Sequence, residues 1–226
     1  MASNAERGCF TLKIDRDSLK RPIALLLITV IFSVLTAVVD REAIGPEGTS
    51  VGFSALNGAV ANLFGYNKLW DTVSDLVMVL AFLVVAFFAC MGVVRLVRTK
   101  SISKVGKTIL GLGILYLVVA IIYVAFNKIP VNYRPILQPG ETELETSFPS
   151  THVLIICSVF GSGIIAFRRL FSQKSYTPIL TVAAIVLMIV GVCTRLLAGV
   201  HWATDIFAGI LFSLTLVSFY AACSKD

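Results

Sequence analysis

The chain contains two histidines, His152 and His201, and each lies among residues able to handle a phosphate. The first ends the run Ser147-Phe148-Pro149-Ser150-Thr151-His152, and the second sits in Thr194-Arg195-Leu196-Leu197-Ala198-Gly199-Val200-His201-Trp202-Ala203-Thr204-Asp205. Lys128 and Arg134-Pro135 precede both. Lys128, Arg134 and Arg195 carry donors matched to phosphate oxygens, and arginine can bind them bidentately. Ser150 adds a hydroxyl. A helix beginning there would add the free N–H groups of its first turn, that of Thr151 included, as an anion cradle. His201 and Asp205 are four positions apart, which puts them on one face of a helix. A carboxylate so placed can take one ring N–H and leave the other nitrogen free to attack phosphorus. His152 is then the candidate to protonate the departing oxygen and afterwards activate water. A helix N-terminus disfavours its charged form and a bound phosphate dianion favours it, so substrate would set its proton.

These residues need a frame that brings them to one place, and the composition says which kind. Of 226 residues 57% are hydrophobic and 14% charged, against roughly 45–50% and about 25% in soluble domains. One soluble core cannot hide that excess, and the apolar residues arrive in blocks of bilayer length. The blocks run 22–39, 73–97, 108–126, 152–167, 178–193 and 206–223. The expectation is an all-α integral membrane bundle of six transmembrane helices, forming a single domain over residues 1–226 with a polar tail over 1–21.

The basic residues read as topology signals. Arg7, Lys13, Arg16, Lys20 and Arg21 lie in the tail, Arg98, Lys100, Lys104 and Lys107 in the second connection, and Arg168, Arg169 and Lys174 in the fourth. Acids gather in the odd-numbered connections, as Asp40, Glu42, Glu47, Asp71, Glu141, Glu143 and Glu145. The positive-inside rule then puts both termini in the cytoplasm and both histidines at the outer face. A net charge of +6 could suggest nucleic acid, but no continuous basic face or interleaved aromatics support it. The cysteines Cys9, Cys90, Cys157, Cys193 and Cys223 form no CxxC pair, so neither a disulfide framework nor a thiolate metal site is expected. In the first outer connection, 40–72, Phe53, Leu56, Val60, Leu63 and Phe64 recur at helical spacing opposite Ser54, Asn57 and Asn62. That pattern predicts an interfacial amphipathic helix, either bordering a path for lipid or covering the bundle.

With the motifs laid out, the segment from Lys128 to Asp205 resembles the type-2 phosphatidic acid phosphatases, also called lipid phosphate phosphatases. That family shows a Lys followed by Arg-Pro, then Pro-Ser-Gly-His, then Ser-Arg with His and Asp downstream. Here Arg195, His201 and Asp205 keep the third spacing, with Thr194 in place of Ser. Pro149-Ser150-Thr151-His152 keeps the second, with Thr151 in place of Gly. Lys128 and Arg134-Pro135 stand one residue closer together than the family has them. The resemblance implies His201 as nucleophile through a phosphohistidine, Asp205 as its orienting partner and His152 as acid and base. It implies Lys128, Arg134, Ser150, Thr151 and Arg195 as phosphate ligands, with no metal and no cofactor. The expected substrates are phosphatidate, phosphatidylglycerophosphate or a polyprenyl (undecaprenyl) diphosphate, in a bacterial-type plasma membrane. A phosphotransferase would use the same residues with another acceptor. A transporter would place charges or broken helices nearer the midplane, and a soluble haloperoxidase, with a related anion site, would lack the six spans.

Overall fold

The computed structural model describes residues 16–138 and 140–224, so Arg7, Lys13 and Cys9 of the tail lie outside the described residues. Among the described residues seven α-helices follow one another: α1 (Arg16–Val38), α2 (Ser54–Ala61), α3 (Lys68–Thr99), α4 (Lys107–Phe126), α5 (Thr151–Leu170), α6 (Thr177–Leu197) and α7 (Ala203–Cys223). All but α2 are long and apolar enough to cross a bilayer. Among the described residues there is no strand, only two isolated bridges, Glu42 with Val51 and Tyr133 with Thr146. The chain is a multi-pass helical membrane protein. Its lipid-facing belt shows in exposed apolar side chains such as Leu27, Val79, Leu117 and Ile179.

The helices overrun the apolar blocks because polar residues extend them. α1 takes in Arg16 to Arg21, residues that hydropathy alone leaves in the tail. α3 begins five residues before Val73, since the Asn67 side chain accepts from the N–H groups of Leu69 (3.0 Å) and Trp70 (3.4 Å) and so caps the helix there. At 32 residues α3 is about 48 Å long, well beyond the roughly 30 Å hydrocarbon layer. Its first turns therefore reach the interface and carry Asp71 and Asp75 with them. At the other end of the bundle Arg169 donates to the carbonyls of Ser224 (2.8 Å) and Ala221 (2.9 Å), placing a cation on the last turn of α7.

α5 is the most deeply buried span. It packs against α6 and α7 through small residues, as membrane helices do where backbones approach closely. A Cβ on Gly191 of α6 would meet Ile156 at 2.9 Å, and one on Gly209 of α7 would meet the Ser150 carbonyl oxygen at 2.9 Å and Val153 at 3.0 Å. Buried Val77, Ala81, Ile156, Val159, Phe160 and Ala184 fill the space among α3, α5 and α6.

The expected amphipathic helix is present as α2, and its polar side points inward. The helix is shorter than the expected 53–64 pattern: Ser54 and Asn57 are buried and Leu56 is exposed, while Asn62 and Leu63, beyond the last turn, are both exposed. Asn57 donates to the Gly52 carbonyl (2.7 Å) and the Thr204 hydroxyl (2.9 Å) and accepts from the Thr204 N–H (3.2 Å). The reason is the start of α7, whose free N–H groups need acceptors that bilayer-facing residues cannot supply. α2 thus packs on the start of α7 at the end of the bundle that holds both histidines, opposite the ends of α1 and α7 where the described residues start and stop.

Gly209 sets the α5–α7 spacing. We expect Gly209→Val to lower the thermal unfolding midpoint in detergent by an amount equivalent to about 1–3 kcal/mol, the usual cost of overpacking. Gly113→Ala, where a Cβ meets nothing within 4 Å, should leave the midpoint unchanged or slightly raised. Equal midpoints for Gly209→Val and wild type would show that this contact does not hold the helices.

Candidate active site

Asp205 is fully buried and ties the site together. Its carboxylate accepts from the Trp202 N–H (3.0 Å), which caps the start of α7, and from the Asn132 amide (3.2 Å) in the loop after α4. Its backbone carbonyl accepts from the Ser150 N–H (2.9 Å) at the start of α5. Asn132 in turn accepts from Gly52 N–H (3.2 Å) through its side chain and from Ser147 N–H (2.9 Å) through its carbonyl. Asp205 therefore joins the start of α7 to the loop after α4 through its carboxylate and to α5 through its backbone, and Asn132 extends the network to the loop before α2.

His201 lies just before α7, in the turn between α6 and α7, rather than on one helical face with Asp205 as the spacing suggested. Gly199, at φ 68°, ends α6 in the left-handed region. A Cβ there would lie 2.6 Å from the Gly65 carbonyl oxygen, so glycine is required on both counts. The turn leaves His201 Nδ1 3.8 Å from Asp205 Oδ2, close enough for charge but longer than a hydrogen bond. His201 Nε2 faces the Arg195 guanidinium, 3.5 Å from Nη2. A nitrogen turned to an N–H donor carries the lone pair, which assigns the proton to Nδ1. Burial, followed by the charges of Arg195 and Arg134 and then His152, holds the His201 pKa well below the usual imidazole range, with the Ser147 backbone carbonyl opposing.

Arg195, on the last turn of α6, is 1% exposed. Its Nη1 donates to Asp71 Oδ1 (2.5 Å) and the Ser74 hydroxyl (3.2 Å), both on α3. His152, second residue of α5, places Nε2 2.8 Å from Asp75 Oδ1. Arg134 pairs with Glu145 at 2.8 Å across the loop between α4 and α5. Trp202 donates its indole N–H to the Tyr133 carbonyl (2.6 Å), which fixes that loop beside His201.

Five of the sequence candidates, Lys128, Arg134, Thr151, His152 and His201, line a cavity of about 950 Å³. Ser150, Arg195 and Asp205 lie buried behind that lining, Arg195 and Asp205 next to His201. Lys128 is exposed at the cavity rim. Thr151 opens α5 with a negative φ, so a side chain is accommodated where the family has glycine. Ser150 caps α5 without using its side chain, and its buried hydroxyl makes no hydrogen bond in the protein. Nε and Nη1 of Arg134 and Nε of Arg195 are also buried without a protein acceptor. Buried donors are nearly always satisfied, so this set has the chemistry of an anion site. Below it the cavity becomes apolar, with Met78, Phe82 and Val85 of α3 on one side, Tyr116, Val119 and Ala120 of α4 on the other, and Ile155 and Val159 of α5 behind. Phe82 and Tyr123 are about half exposed along its margin.

Sequence reasoning missed the wall formed by α3. By charge alone Asp71 reads as a topology signal, and Ser74 and Asp75 disappear inside an apolar block. Their spacing was the available clue, because positions 71, 74 and 75 share one helical face and acids at a membrane boundary default to function. Asn132 and Trp202, which hold Asp205 and the loop, carried no such signal.

The described residues contain no cluster of His, Cys, Asp and Glu arranged to hold a metal ion. Comparison with curated proteins gives no match. Among solved structures the fold matches the crystal structure of the first transmembrane PAP2 type phosphatidylglycerolphosphate phosphatase from Bacillus subtilis, with a TM-score of 0.57 at 19% identity, covering 89% of this chain and 93% of that one. Residues 109–226, just over half of the sequence and including both histidines, match the PAP2 superfamily, and the chain belongs to that family.

Proposed function

We propose that the protein is a metal-independent lipid phosphate phosphatase working through a phosphohistidine on His201. The observation that supports this most is the two-sided character of its cavity. Arg134, with guanidinium donors that have no protein acceptor, lines the histidine end, the unpaired Ser150 hydroxyl and Arg195 Nε lie buried behind it, and an apolar groove continues between α3 and α4 toward the bilayer. A phosphate fits the first part and the acyl or prenyl chains attached to it fit the second. The candidate lipids are phosphatidate, phosphatidylglycerophosphate and polyprenyl diphosphate, and the fold neighbour is a phosphatidylglycerophosphate phosphatase.

In this reading Arg134, Arg195, Ser150, the Thr151 N–H and Lys128 hold the phosphate. The neutral Nε2 of His201 attacks phosphorus, the P–O bond to the lipid breaks, and His152 gives its proton to the leaving oxygen. His152 then takes a proton from water as the water oxygen attacks phosphorus, the P–N bond breaks and inorganic phosphate departs. Asp205 stabilises the His201 cation formed in between. The positive-inside distribution supports cytoplasmic termini and a site at the outer face of a bacterial-type plasma membrane.

Purified protein should release inorganic phosphate from lipid phosphates in the presence of a chelator. No turnover across a broad lipid panel would sink the hydrolase assignment, and dependence on added metal would sink the metal-free mechanism. His201→Ala should abolish release, Asp205→Asn should cripple it, and Lys128→Ala at the exposed rim should cost less than either.

The depressed His201 pKa adds a pH test. A histidine held below its ordinary value stays neutral as pH falls through about 6.5, so the nucleophile remains competent there. Phosphoenzyme trapped within one turnover should be as abundant at pH 6.0 as at pH 7.5. A loss with a midpoint near 6.5 that disappears in no His152 variant would contradict the assignment.

A further inference from the structure

We propose that Asp71 is a positioning residue for Arg195, holding one corner of its guanidinium so that the opposite edge meets the phosphate directly in front of His201. The proposal rests on the phosphatase reading for its substrate and on the geometry of α3 for its argument.

A guanidinium has five N–H donors in one plane and can present two different forks to an oxyanion, the Nη1/Nη2 end or the Nε/Nη2 side. In this structure the choice has been made. Nη1 is taken by Asp71 Oδ1 at 2.5 Å and by the Ser74 hydroxyl at 3.2 Å. Ser74 is itself fixed, since its hydroxyl donates to the Asp71 carbonyl at 2.8 Å. Asp71 and Ser74 are three apart on α3 and so grip Nη1 from one helical face. Nε keeps no acceptor in the protein. Nη2 lies 3.5 Å from His201 Nε2. The Nε/Nη2 side, whose only hydrogen-bond contact among the described residues is the long one from Nη2 to His201, is therefore the fork for two phosphate oxygens. A phosphate seated on it takes the Nη2 N–H from His201 Nε2 and frees that nitrogen beside its phosphorus.

The burial of Arg195 makes this grip necessary. At 1% exposure its charge has lost its water, and an unpaired buried cation is strongly disfavoured. Asp71 supplies the counter-charge at Nη1, whereas His201 faces Nη2, so the carboxylate does not occupy the Nε/Nη2 edge that phosphate needs. Removing the carboxylate frees the guanidinium to rotate and present the wrong fork. The opposite reading makes Asp71 an internal stand-in for phosphate that substrate must displace; the two differ in the sign of every measured effect.

The experiment uses the full chain in detergent micelles with dioctanoyl phosphatidate, and inorganic phosphate as a second probe. We expect Asp71→Ala to lower kcat/KM about 10- to 100-fold, the usual consequence of losing a hydrogen bond to a charged group. Asp71→Asn, which keeps an acceptor for Nη1, should lie between Asp71→Ala and wild type and guards against a misfolded alanine variant. In an Arg195→Lys background Asp71→Ala should cost little more, because the residue acts through the guanidinium. The rise in thermal midpoint produced by inorganic phosphate should shrink in Asp71→Ala.

A wild-type kcat/KM for Asp71→Ala would overturn the proposal. So would equal losses in both backgrounds, which would mark a merely structural role. A higher kcat/KM with a larger phosphate-induced rise would establish the displaced stand-in instead. Should wild type hydrolyse no lipid, the phosphatase reading fails, and the phosphate-induced midpoint shift alone decides whether Asp71 positions Arg195.

Discussion

A buried carboxylate at the end of an apolar bundle is the constraint on which the rest of the site depends. Asp205 has no water to satisfy it, so its acceptors must be met by the protein. They are met by the Trp202 N–H and the Asn132 amide, while its backbone takes the Ser150 N–H. Those three donors belong to the start of α7, the loop after α4 and the start of α5. Satisfying the side chain and the backbone carbonyl of this one residue thus brings together three pieces of chain, and His201, Arg134 and His152 come with them.

The same logic governs the cations. Arg195 and Arg134 would be costly to bury alone, and each has a carboxylate partner placed to one side, Asp71 and Glu145. Each still keeps buried N–H groups without a protein acceptor. The pairing lowers the cost of desolvation without exhausting the donors, which lets positive charge persist where the bilayer would otherwise exclude it.

Much of this was legible in the sequence. Six apolar blocks of bilayer length could become only six spanning helices, because lipid offers the backbone no other partner. The histidine motifs landed at helix starts because Ser150 and the Trp202–Asp205 turn are cap signals as well as chemical ones. The four-residue spacing of His201 and Asp205 predicts both proximity and helical register; the structure has the first without the second, since Gly199 ends α6 and a new cap begins before α7 starts at Ala203. The contribution of α3 was not legible from hydropathy. An apolar average over residues 73–97 conceals Ser74 and Asp75, and only the Asn67 cap shows how far α3 extends toward the site. The inward polar face of α2 was hidden for a related reason, because the demand for its Asn57 comes from α7, remote in sequence.

The groove between α3 and α4 has a consequence for how such a protein meets its substrate. A ligand whose tail stays in the bilayer while its phosphate reaches the histidines arrives by lateral diffusion, in two dimensions rather than three. On the proposed function, the quantity that saturates the site is the mole fraction of lipid phosphate within the membrane, and bulk concentration matters only through it. Added neutral lipid or detergent would then slow turnover by surface dilution, without touching a single residue of the site.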